Sequence, residues 1–274
     1  AAFAAQMDLI RQNFRVLPLA DAVRQLAVGT LPSRSVCITF DDGYATSLDL
    51  ALPVLERHGV KATFFVTAIR AAGEEVLWPD RLDISMFLHR TSIQVRGEGF
   101  ERRARQGGFF SIRDGSSLKA RCKQANWAFI QEALAAFPPE VTRSLPEDLA
   151  AYWRTIDAAG LRRLSQSPLV TIGSHGVRHV TLPCQDTDVA RAEMLDSKLW
   201  LEEVTGREVS ALAFPNGAWT SELLTLAEEI GYRQLFGGDG ESSFRHGSMR
   251  GRLTMNPFIS WPNQVRCLYS GGYP

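Results

Sequence analysis

Short apolar runs recur along this chain: Val36-Cys37-Ile38-Thr39-Phe40, Ala62-Thr63-Phe64-Phe65-Val66, Leu169-Val170-Thr171-Ile172 and Ala211-Leu212-Ala213-Phe214. Between them lie longer stretches in which apolar residues return every three or four positions. Unbroken runs of this length, rich in β-branched and aromatic residues, fit strands buried on both faces, and the intervening period fits helices that cover them. Phe3 to Phe14 and Leu19 to Val28 read as helices, the second stopped by Gly29. Next come a strand over 35–40, a helix over 46–58 and a strand over 62–66. After Leu149 the order resumes with a helix over 155–165, a strand over 169–173, a long helix from about Asp188 to Thr205, a strand over 209–214, a helix over 220–230 and a short strand near 232–236. The alternation predicts an α/β fold on a parallel sheet, with its functional loops at the C-terminal ends of the strands.

From about Ile69 to Leu149 the alternation breaks. Arg96 to Arg105 is basic, Gly107-Gly108 is flexible, and Ala120 to Phe137 is amphipathic. The stretch reads as a helical insertion within one domain over 1–274. Its length points to a lid or a wall beside the site, since long loops inside compact domains are usually functional.

Two clusters at strand ends carry the candidate chemistry. The run 36–40 stops on Asp41-Asp42-Gly43, and the run 169–172 leads into Gly173-Ser174-His175-Gly176-Val177-Arg178-His179. Adjacent carboxylates are costly unless a cation binds one of them or their roles differ, one ionised as a ligand and the other a general base. Two imidazoles four residues apart complete a three-ligand set, Asp42, His175 and His179, with positions open for water. That set suits catalytic Zn²⁺ and also Co²⁺, Ni²⁺ or Fe²⁺. Taken alone, Asp-Asp-Gly after a buried strand is more often an ordinary turn and two His at this spacing are often a solvated pair; together, each ending a β-like run, they point to one site.

Composition narrows the alternatives. The 274 residues with 45% hydrophobic content suffice for one sizeable core. Thirty basic against thirty acidic residues leave no net charge, so the electrostatic footprint of a nucleic-acid binder is missing. Cys37, Cys122, Cys184 and Cys267 have no metal-knuckle spacing and read as free thiols, which favours a reducing, cytoplasmic setting. An exported or periplasmic setting follows instead if the chain is a trimmed mature form. No apolar stretch reaches the roughly 18 residues of a membrane span, and the start lacks the pattern of a signal peptide.

Thr39-Phe40-Asp41-Asp42-Gly43 and Ser174-His175-Gly176-Val177-Arg178-His179 resemble the first two motifs of the polysaccharide deacetylases, the chitooligosaccharide deacetylase-like enzymes of carbohydrate esterase family 4. The resemblance implies a distorted (β/α) barrel that removes an acetyl group, N-acetyl foremost, from a sugar or polysaccharide, using one divalent ion, Zn²⁺ first. It implies Asp41 as base and Asp42, His175 and His179 as ligands. The main-chain N–H at Asn216, in Pro215-Asn216-Gly217, stands where the family stabilises the oxyanion. An exposed Trp78, opening the insertion in Trp78-Pro79-Asp80, would stack on a sugar; the competing reading packs it between insertion and barrel.

The chain departs from the family in two places. Ala213 stands where the family has an Arg that orients the base, and no late Leu-x-His motif supplies the general acid. His246, in a Gly/Ser-rich loop, is a poorly held substitute. Leu17-Pro18-Leu19 and Asn256-Pro257-Phe258 resemble the branch that acts on biofilm polysaccharides, whose acid His comes from an early Tyr-His segment that would precede Ala1. Two other readings stand beside the deacetylase: a metal-dependent amidase or esterase on a non-sugar substrate, and a non-catalytic descendant that binds glycan.

Overall fold

The apolar runs assemble as one curled parallel sheet in a computed structural model that describes residues 2–89, 91–103, 105–140, 147–238, 249–255 and 258–270. In chain order the described strands are β1 (Arg15–Val16), β2 (Ser35–Val36), β3 (Ile38–Phe40), β4 (Ala62–Val66), β5 (Ile93–Val95), β6 (Glu98–Arg103), β7 (Gly108–Ser111), β8 (Val170–Ser174), β9 (Ala211–Ala213), β10 (Gln234–Phe236) and β11 (Met249–Arg250). The main sheet has the order β11-β10-β9-β8-β4-β3, all parallel, and forms a half-barrel. Strand β4 lies between β8 and the edge strand β3 with all five residues buried, as an uninterrupted apolar run requires. Phe40 stacks on Phe64 across the β3–β4 pair at 4.7 Å between ring centroids, a contact that adds to the burial of two large rings.

Helices lie between successive strands. Thr187–Thr205 follows β8 and Ser221–Ile230 follows β9. Asp157 caps Ala158–Gln166 by accepting from Gly160 N–H at 2.7 Å, and Thr220 does the same for Leu223 at 3.3 Å, which fixes where these helices start. Most elements fall within two or three residues of the sequence reading. The run 35–40 is the exception: Ser35–Val36 pairs with Arg15–Val16 in a separate two-stranded sheet, and only Ile38–Phe40 joins the main one. The expected helix over 46–58 begins as a wide π-turn, Ser47–Ala51, before Leu52–His58 continues as α-helix.

The region read as a helical insertion contains helices Trp78–Leu88, Leu118–Lys123 and Trp127–Ala135 and also a three-stranded antiparallel sheet, β5-β6-β7. Its strands are short and its solvent side carries Arg and Glu, so the alternation that marks a half-buried strand was hidden in a basic stretch. Phe100 and Phe109 face inward at 1% and 0% exposure. The four cysteines are free thiols.

Candidate active site

Register places the candidate residues together. Phe40 pairs with Phe64, Val66 with Ser174, and Ser174 with Leu212. The chain therefore leaves β3, β8 and β9 at neighbouring points on one rim, where Asp41-Asp42 and His175 follow their strands and Ala213 ends its own. The exits are cross-tied: His175 N–H donates to the Val66 carbonyl at 3.0 Å, and the Thr67 hydroxyl donates to the Asp42 carbonyl at 2.8 Å. Of the five described non-glycine residues with left-handed φ, three are Asp42 (72°), His179 (58°) and Asn216 (56°). Such backbone costs on the order of 1–3 kcal/mol per residue and persists where the surroundings impose it. Gly43 follows at φ 78°, where a Cβ would lie 2.6 Å from Val66 Cγ1, so the turn after the two carboxylates admits no side chain.

Asp42, His175 and His179 converge, with candidate donor atoms all within 4.8 Å of one another. Asp42 Oδ1 lies 3.5 Å from His175 Nε2 and 3.2 Å from His179 Nε2. Three donors each about 2.1 Å from a common centre at tetrahedral angles lie about 3.4 Å apart, so the cluster has the spacing of a divalent-metal site. The tautomer agrees. His175 Nδ1–H donates to the Ala213 carbonyl at 2.7 Å, which leaves the lone pair of Nε2 facing the carboxylates, the usual outer-shell arrangement of a metal-ligating imidazole. Burial lowers the His175 pKa and keeps the ring neutral, as a ligand must be. Ala213 thus contributes through its backbone, whatever its side chain.

The second carboxylate has a different partner. Arg252, two residues past β11, grips Asp41 with both ends of its guanidinium, Nη1 to Oδ1 at 2.6 Å and Nη2 to Oδ2 at 2.7 Å. The same group donates to Thr39 Oγ1 and the Gly237 carbonyl at 3.3 Å each and lies 5.1 Å from the Phe65 ring centroid. Strands β3 and β11 are opposite edges of the sheet, so this ion pair spans the opening of the half-barrel. Burial acts to raise the Asp41 pKa; His175 and the Arg252 guanidinium more than offset it and hold the carboxyl below its ordinary range. With His175 neutral, Arg252 is the positive charge that endures at neutral pH. An Arg is therefore present beside Asp41, from a position the motif comparison passed over. In the sequence Arg252 is the second Arg of Arg250-Gly251-Arg252, with nothing beside it that marks a partner for Asp41.

Trp78 is not a sugar platform. It is 2% exposed, and its indole N–H donates to the His179 carbonyl at 3.0 Å, so the ring packs the insertion onto the barrel. Two residues on, Asp80 accepts a hydrogen bond from the Tyr44 hydroxyl at 2.7 Å. Burial pushes the Asp80 carboxyl up to about 6. Asn216 sits at the rim, its side-chain amide donating to Thr181 Oγ1 at 3.0 Å. His246 and Asn256-Pro257 lie outside the described residues. Tyr44, Asp80 and Arg252 carried no sequence signal because their roles depend on partners 36 to 211 residues away.

A curled parallel half-barrel with a metal-type donor set and an Arg-held carboxylate on its rim defines the class, an α/β catalytic fold with its chemistry at the strand ends. Residues 28–101 and 124–235 match the family model described as polysaccharide deacetylase, well over half of the chain, and the protein belongs to that family. YxkH of Bacillus subtilis (strain 168), a protein assigned to the polysaccharide deacetylases, is 39% identical over 66 residues, 23% of this chain and 24% of YxkH; the chain matches about a quarter of that curated relative. Among solved structures, IcaB from Ammonifex degensii superposes with a TM-score of 0.57 at 18% identity, over 97% of this chain and 87% of that one. The Streptococcus pyogenes deacetylase PplD in complex with acetate gives 0.55 at 17% identity over 97% and 85%. The de-N-acetylase from Aggregatibacter actinomycetemcomitans gives 0.53 at 14% identity over 96% and 86%. At these identities the structural likeness speaks for the fold, which is that of the deacetylases.

Proposed function

We propose that this protein is a metal-dependent deacetylase that hydrolyses an acetyl group, N-acetyl foremost, on a sugar or polysaccharide. The observation that carries the reading is the division of labour between adjacent carboxylates: Asp42 faces two imidazoles at ligand spacing, while Asp41 is held apart by Arg252. A divalent ion on Asp42, His175 and His179 would polarise the acetyl carbonyl and acidify a water molecule. Asp41 would be the base, its carboxylate placed to hold the proton of the attacking water. Arg252 fixes both oxygens of Asp41, so the carboxylate stays ionised and aimed. The Asn216 main-chain N–H is assigned to the developing oxyanion, a role that does not depend on its side chain. The reading of a degraded, glycan-binding descendant drew on the missing motif Arg, and Arg252 removes that part of its ground.

The test is acetate release from N-acetylglucosamine oligomers after chelation and on re-addition of Zn²⁺ or Co²⁺, beside O-acetylated sugars and cyclic amides. Acetate release restored by metal is expected with the N-acetylated sugars. Asp41→Asn should abolish turnover with metal content nearly intact, whereas Asp42→Ala should lose both. Hydrolysis of cyclic amides alone would turn the assignment to a non-sugar amidase, and equal metal loss in the two variants would overturn the roles given to the pair.

A further inference from the structure

Between His175 and His179 the chain makes a short loop whose backbone wraps a buried acid, Glu193, from the helix Thr187–Thr205. Glu193 is 1% exposed. Its Oε2 accepts from the main-chain N–H of Val177 at 2.9 Å and of Arg178 at 2.8 Å, and its Oε1 accepts from Arg178 Nη1 at 2.8 Å. The wrap is tight: a Cβ on Gly176, which has φ 73°, would lie 3.4 Å from Oε2. Successive N–H groups turned onto one anion form a nest, here closed from within the protein. One helical turn further on, Ser197 Oγ meets Ser174 Oγ at 2.8 Å, and the Ser174 hydroxyl accepts from Gly176 N–H at 3.3 Å. One face of this helix therefore grips the loop from just before His175 to just before His179. Trp78 holds the far end at the His179 carbonyl.

We propose that Glu193 is a positioning residue for the metal site, the internal anion around which the His175–His179 loop is moulded. The inference rests on the metal reading of Asp42, His175 and His179 but adds a residue that touches none of the reacting atoms. His179 needs the clamp most. Its left-handed φ of 58° is unfavourable in a free chain, and a loop relaxed toward ordinary backbone angles would swing that imidazole off the centre it shares with Asp42. A preformed loop presents both ring nitrogens without ordering on binding. Glu193→Gln keeps the size but sets an amide against the Arg178 guanidinium, donor facing donor, so that one of the two grips is lost.

Three measurements on the full chain test the proposal. In the metal-free protein, the Val177 and Arg178 amides should exchange slowly with solvent in the wild type and at least tenfold faster in Glu193→Gln. Titration with Zn²⁺ or Co²⁺ should show affinity reduced about 10- to 100-fold in the variant, the usual effect of removing an outer-shell partner. The metal-induced rise in Tm should shrink accordingly, since that rise follows the ratio of metal concentration to Kd. A merely structural Glu193 would lower the Tm of the metal-free and metal-loaded forms alike and leave affinity and the Co²⁺ spectrum unchanged; that result overturns the proposal. If Glu193→Gln does not fold, Arg178→Met decides: it frees Oε1 alone from a side chain that is 36% exposed, and metal affinity should fall several-fold, with an unchanged affinity overturning the proposal. A wild type with protected amides but no affinity for any divalent ion would instead strike down the metal reading and leave the clamp standing.

Discussion

Replacing Arg252 by Leu removes two charge-assisted hydrogen bonds to Asp41, at 2.6 and 2.7 Å, from a side chain 18% exposed. Hydrogen bonds to charged groups are worth about 1.5–3 kcal/mol each in net terms. Asp41 is 34% exposed, so water replaces part of what is lost, and the expected deficit is that of a single such bond, about 2–3 kcal/mol. At about 1.4 kcal/mol per decade of rate, kcat/KM for acetate release should fall about 30- to 150-fold. The pH profile separates charge from aim. Arg252 favours ionised Asp41; without it the carboxyl pKa rises, and the acidic limb of kcat/KM, set by protonation of the base, should move to higher pH. Arg252→Lys restores the charge without the planar fork, so the limb should stay near its wild-type position while the rate remains depressed. Added guanidinium should rescue the Leu variant in part. Circular dichroism and metal content should be unchanged, which keeps the comparison on the base. A Leu variant within threefold of wild type, with its acidic limb unmoved, would refute the assignment of Arg252 as the group that holds Asp41.

Other perturbations test neighbouring claims. Asp80 has a folded-state pKa of about 6 against an ordinary 3.8; because the folded state favours its protonated form, stability falls as pH rises through that window. Asp80→Asn, which can still accept from Tyr44, should stabilise the metal-free protein by up to roughly 3 kcal/mol above pH 6 and by much less near pH 4, checked by urea unfolding at both pH values; a pH-independent difference would refute it. Trp78→Phe keeps a ring but loses the N–H to the His179 carbonyl, and should lower stability by about 1–2 kcal/mol with KM for sugar nearly unchanged; a raised KM at unchanged Tm would restore Trp78 as a sugar contact. Gly217→Ala places a Cβ 2.4 Å from the Gly238 backbone at φ 68°, so it should destabilise by more than about 1 kcal/mol, and an unchanged Tm would show that the Asn216 turn is softer than its geometry implies.

Two kinds of information were legible in the sequence: patterns and adjacent residues. The buried runs gave β4, β8 and β9 within two or three residues, because strands covered on both faces must be apolar throughout. Asp41-Asp42 and His175–His179 could be found because each pair is local and each follows such a run. The sheet of the insertion stayed hidden, since β6 is nearly as polar as the turn that precedes it. Long-range partners stayed hidden too. Whether Trp78 stacks on a ligand or buries itself against His179 depends on where the insertion folds back, and composition is silent on that. Arg252 lies 211 residues from Asp41 and meets it only because the sheet curls until its first and last strands face each other across the opening. Local residue types determine which atoms can act as ligand or base; the closure of the sheet and the packing of distant helices decide which of them are held, charged and aimed.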